Sequence, residues 1–157
     1  MPTRSDGYSI STEPHFLDRE LVFRFLSTEA PWSEGIPRHL FDRSLDNSRC
    51  FGLYDADGRT VGFARVVTDF STFGYIEDLF VLAEHRQRGL GAWLVTTIVE
   101  DDDLRDVKSW WTLADDAAAR STVEHGGFRN PEPDRLARWM AIPGRSRGYW
   151  HDGRHGQ

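Results

Sequence analysis

A chain of 157 residues, 39% hydrophobic and 28% charged, is long enough to bury one core, and its composition excludes a disordered or fibrous protein. The formal net charge of -6 argues against a nucleic-acid backbone as partner and inclines toward a cationic one. No apolar run is long enough to span a bilayer, and no leader-like segment follows Arg4 and Asp6, so the expectation is a cytoplasmic protein with no membrane contact. Cys50 is the lone cysteine and sits in an apolar run, where a small core thiol fits.

In chain order, residues 8–11 read as a short strand. A helix follows over about 18–27, where Leu21/Phe25 and Val22/Leu26 pair at i,i+4. The stretch 29–37 breaks it, and Pro37 suits the first turn of a second helix through Leu40, Phe41 and Leu45. Segments 49–54 and 60–68 are apolar or β-branched around the turn residues Asp55 to Gly58, which predicts an antiparallel hairpin. A third long strand spans 74–82, with Tyr75, Glu77, Leu79 and Val81 expected on one face and Phe80 and Leu82 on the other. From Gly89 a helix runs with Leu90, Leu94, Val95 and Ile98 buried, and the acidic residues Asp101 to Asp103 fall beyond its end. Another strand over 107–113, a helix from 117 to about 125 and a strand over 138–142 complete the pattern. The order predicts an α/β (α+β) chain with a single mixed, mostly antiparallel sheet flanked by helices: one domain over 1–143 and a polar tail over 144–157.

The most informative stretch is 75–94, YIEDLFVLAEHRQRGLGAWL, a strand that passes through a basic turn into an amphipathic helix. Glycines at 89 and 91 allow close backbone approach, and the N–H groups opening the helix suit an anion, with Arg86 and Arg88 adding charge. A Walker loop would need Gly-Lys-Ser/Thr, and a dinucleotide fingerprint would need glycine where Leu94 stands. What remains is Arg-x-x-Gly-x-Gly.

That motif resembles the signature of the GNAT superfamily of acyl-CoA-dependent acyltransferases, with Arg86, Gly89 and Gly91 in the matching places. The element order over about 8–142 resembles it too. Segments 35–37, 50–55, 61–69 and 78–82 look like a group of bacterial members whose acceptors are mostly unassigned. The resemblance implies an N-acetyltransferase that uses acetyl-CoA. The backbone of Leu79, Phe80 and Val81 would bond the pantetheine arm as an added strand would. Arg86 and the amides of Gln87, Arg88, Gly89, Leu90, Gly91 and Ala92 would hold the pyrophosphate. Glu77 becomes the candidate base for the ammonium proton, weighed evenly against a solvated carboxylate or the partner of an arginine. Asp78 could replace it only if the strand bulges there.

The family's usual tyrosine acid on the helix after the fifth strand is absent, and Ser121, Thr122 and His125 are the polar residues nearby. Trp32 and Glu34 would wall the acceptor site, although packing is the commoner role for tryptophan. The expected acceptor is a small-molecule or peptide amine, attacked directly in a ternary complex, because no nucleophile elbow or Cys/His pair is present. His15, His39 and His85 show no metal-ligand spacing. A non-catalytic acyl-CoA-binding module is the alternative reading, and a homodimer stands as an option.

Overall fold

The computed structural model describes residues 1–138. Its elements are β1 (Ser9–Ser11), α1 (Arg19–Thr28), α2 (Arg38–Asp46), β2 (Arg49–Tyr54), β3 (Thr60–Thr68), β4 (Gly74–Val81), α3 (Leu90–Val99), β5 (Trp110–Thr112), α4 (Ala117–Glu124) and α5 (Pro133–Leu136). Short 3-10 turns at Pro14–Phe16 and Ala83–His85 join them. The strands form one sheet in the order β1-β2-β3-β4-β5. The first four are antiparallel neighbours, and β5 lies parallel to β4.

Local chemistry sets the boundaries. Asp18 caps α1 by accepting from the Leu21 amide at 2.9 Å, and α1 buries Val22, Phe25 and Leu26. Pro37 stands at the N-cap of α2, just outside the first turn where the sequence suggests it. The β2–β3 hairpin turns on Asp55, whose side chain accepts from the amides of Asp57 and Arg59. Asp116 caps α4 by accepting from the Ala119 amide at 2.8 Å.

The sheet separates two apolar clusters. One gathers Phe51, Leu53, Ala64, Val66 and Ile76 with Leu90, Leu94, Val95 and Ile98 of α3. The other packs Phe63 and Phe80 against Val22, Phe25 and Leu26 of α1 and Phe41 and Leu45 of α2. Each of these large side chains contributes about 1.5–3 kcal/mol of burial before chain entropy is counted.

Two expectations change. Ile76 and Phe80 have the same parity along β4, yet they belong to clusters on opposite sides of the sheet. The register explains this: Phe63 pairs with Phe80 and Arg65 with Glu77, so Asp78 and Leu79 together oppose Ala64. This is a β-bulge, and Asp78 holds a left-handed φ of 54°. The predicted common face therefore splits. Tyr75 and Glu77 precede the bulge, whereas Leu79 and Val81 follow it and pack against the α3 cluster.

The strand predicted over 107–113 is confined to Trp110–Thr112. Val107 instead closes a turn through its amide to the Leu104 carbonyl at 3.0 Å and plugs the core. In the predicted strand 138–142, Arg138 lies in a turn after α5, and the remainder lies outside the described residues, as does the tail.

Candidate acetyl-CoA and acceptor site

β5 pairs with β4 only at Gly74, Tyr75 and Ile76. Beyond Ile76, among the described residues, the β4 edge that faces β5 has no strand partner. An open groove of about 770 Å³ occupies the gap. Leu79, Phe80 and Val81 form its floor and the turn from Arg86 to Ala92 one end, while α4 supplies a wall through Ser121, Thr122 and His125. Phe25, Glu29, Pro31 and Trp32, from α1 and the connection to α2, close the other side.

The turn into α3 is built to leave its amides unpaired. Gln87 and Gly89 both have left-handed backbones, with φ of 59° and 70°. The first α3 bond runs from the Trp93 amide to the Gly89 carbonyl at 3.0 Å. Among the described residues nothing accepts from the amides of Gln87 to Ala92. Only the first four N–H groups of a helix lack a partner by necessity, so the two backbone reversals extend that row into the turn. A Cβ added to Gly89 would meet no atom within 4 Å, whereas one on Gly91 would meet Thr122 Cγ2 at 3.1 Å. The first glycine leaves room for a ligand, and the second lets α4 close over α3.

The two arginines behave differently from a simple charge pair. The Arg86 guanidinium turns back and donates Nε–H to the Val81 carbonyl at 2.8 Å, which ties the turn to the floor. Arg88 is exposed and is not part of the groove wall.

Glu77 and Asp78 lie just ahead of the floor, and neither lines the groove. The bulge turns Asp78 inward, so that both carboxylates reach Arg65 of β3. Asp78 takes Arg65 Nε–H at 2.6 Å and the Trp32 indole N–H at 2.9 Å, which occupies both of its oxygens. Glu77 has only a 3.4 Å contact with Arg65, and about a third of its side chain (34%) is exposed. Burial, then the like charge of Asp78, hold the Glu77 carboxyl above its ordinary range, with Arg65 pulling the other way. Of the two, Glu77 is therefore the carboxylate less taken up by hydrogen bonds.

Trp32 is 52% exposed and stands on the groove. Glu34 is exposed and does not line it. Sequence reasoning missed Arg65, whose signal was a lone charge in an apolar strand. It also missed the aromatic wall in which Phe25 stacks on Phe80 with ring centres 3.8 Å apart.

An open strand edge that leads to a row of free amides, on a mixed sheet walled by helices, defines a class of proteins suited to an extended ligand with an anionic end. The chain belongs to the acetyltransferase (GNAT) family, whose model matches residues 16–128. A GNAT-family candidate acetyltransferase of Xanthomonas campestris pv. campestris is 34% identical, with a TM-score of 0.78 over 91% of this chain and 96% of that one. FG08082 of Gibberella zeae, named as a candidate acetyltransferase, is 34% identical over 116 residues. That alignment takes in 62% of this chain and 65% of the fungal protein, so the chain spans just under two-thirds of that relative. A Clostridium acetobutylicum structure solved with acetyl-CoA shares the fold at 15% identity, with a TM-score of 0.59 over 87% of this chain and 94% of that one.

Proposed function

We propose that the protein transfers an acetyl group from acetyl-CoA to an amine of a small molecule or peptide, both bound in one groove. One observation carries the reading: among the described residues, the unpartnered β4 edge and the unpaired amides of Gln87 and of Gly89 to Ala92 border the same open space. The opening at Gly89 fits a diphosphate, because close approach to the backbone meets no side chain there. When bound, acetyl-CoA would supply a thioester carbonyl for the amine to attack.

The chain's own residues would do the rest. The backbone of Leu79 to Val81 aligns the extended arm, and the amides from Gln87 to Ala92 hold the charged end. Trp32 and Glu29 flank the acceptor. Glu77 accepts the ammonium proton through water, since the amine must be neutral to attack. Ser121, Thr122 and His125 are the polar α4 groups on the groove wall from which the departing thiolate could recover a proton.

The test is release of free thiol from acetyl-CoA across a panel of amines. Amine-dependent release with at least one acceptor supports the proposal. Tight CoA binding without any turnover would favour a non-catalytic acyl-CoA-binding module.

A further inference from the structure

The turn ahead of β1, outside the region matched by the family model, packs on the turn that leads into α3. Arg4 donates Nη1–H to the Arg88 carbonyl at 3.0 Å, across 84 positions of sequence. Its other terminal nitrogen is held by Asp6 Oδ2 at 2.8 Å, and its guanidinium lies over the Trp93 ring at 5.5 Å. Four residues on, the Tyr8 hydroxyl bonds His85 Nδ1 at 2.8 Å, with the two rings edge to face. Residues before, within and after the anion-binding turn are thus fastened to this one segment.

The bond to Arg88 has a directional consequence. In a trans peptide the carbonyl and the following amide hydrogen point to opposite sides. Holding the Arg88 oxygen toward Arg4 aims the Gly89 N–H the other way, and Gly89 lines the groove with that amide unpaired. The next peptide is fixed from inside the helix, where the Gly89 carbonyl takes the Trp93 amide at 3.0 Å. A turn with left-handed backbones at both Gln87 and Gly89 has little local preference for its shape, so support from elsewhere decides it.

We infer that the turn ahead of β1 is part of the acetyl-CoA site, with Arg4 a positioning residue that orients the Gly89 amide toward the bound diphosphate. The inference rests on the proposed use of acetyl-CoA and goes beyond it, by making affinity depend on a residue outside the family's shared span. Tyr8 supports the same turn through His85.

Calorimetric titration of the full chain with CoA tests it, using wild type, Arg4→Ala, Arg4→Lys and Tyr8→Phe. Loss of a charge-assisted hydrogen bond should weaken CoA binding about tenfold in Arg4→Ala, and Lys, which still donates to one carbonyl, should recover most of it. Tyr8→Phe should weaken binding by about threefold, as expected for a neutral bond at the edge of the site. With an amine substrate, the loss should appear in the KM for acetyl-CoA, leaving kcat and the amine KM unchanged. A merely structural role for Arg4 would lower the melting temperature and the active fraction while the surviving protein kept its CoA affinity. Unchanged affinity in folded Arg4→Ala would overturn the inference and leave the proposed function intact, whereas a wild-type protein that binds no CoA would overturn both.

Discussion

The two halves of β4 face different demands. From Gly74 to Ile76 the strand is hydrogen-bonded to β3 and β5 together, with Gly74 packed so closely that an added Cβ would sit 2.9 Å from the Trp110 ring. From Asp78 to Val81 it is paired on one side only among the described residues and begins with a left-handed residue, and Leu79 to Val81 border the groove. The first half shows what holds this sheet together. The second shows that the groove floor is made where pairing with β5 stops, and that the bulge sets which side chains face it. A non-glycine residue at φ 54° costs on the order of 1–3 kcal/mol, which the Arg65 and Trp32 bonds to Asp78 offset.

Substitutions can break or sharpen that contrast. The largest effect is expected from Gly89→Glu, which places a carboxylate and a side chain where φ is 70° and the amides are free. CoA affinity should fall by at least roughly a hundredfold in a protein that still melts cooperatively, a loss readable by calorimetry. Next is Glu77→Gln: removing a general base should lower kcat by about 10²–10⁴ while CoA affinity holds, as steady-state kinetics beside a CoA titration would establish.

Asp78→Asn should act more mildly and through pH. A base works only when deprotonated, and the raised Glu77 carboxyl places the acid limb of the activity profile above the ordinary glutamate range. Asn at 78 removes the like charge and releases Arg65 to Glu77, and both changes lower the Glu77 pKa. The acid limb of kcat/KM should therefore move to lower pH, with a loss in the plateau of about tenfold as the base weakens. Movement of that limb to higher pH would count against the arrangement.

The smallest functional effect should come from the paired half. Gly74→Ala overpacks Trp110 and Val107 and should cost about 1–3 kcal/mol of stability, seen in chemical denaturation, while the KM for acetyl-CoA stays at the wild-type value.

Much of the frame was legible because local chemistry agrees with the fold. The β2–β3 hairpin has the limits that Asp55 and Gly58 announce, and α3 follows the spacing of Leu90, Leu94 and Ile98. The turn from Arg86 to Gly91 was legible as a strand-to-helix turn, because glycine accepts the left-handed backbone found at Gly89. The bulge was not. Nothing in the residues near Asp78 demands a left-handed backbone, and its cause lies in Arg65 and Trp32, distant in sequence. The short β5 likewise depends on Val107 filling a gap in the core, which no periodicity reveals. Arg4 gave no signal at all, because its importance arises only when the turn ahead of β1 folds against α3.

The proposed function requires the open edge of β4 and the amides opening α3 to bind one ligand together. An ¹H–¹⁵N titration of the labelled protein with CoA tests it residue by residue. The account predicts saturable shifts concentrated at Leu79 to Val81 and at Gln87 to Ala92, with Gly89 among the largest and Gly74 to Ile76 nearly still. Saturable binding that left those amides unmoved, or that moved the paired half of β4 instead, would contradict it.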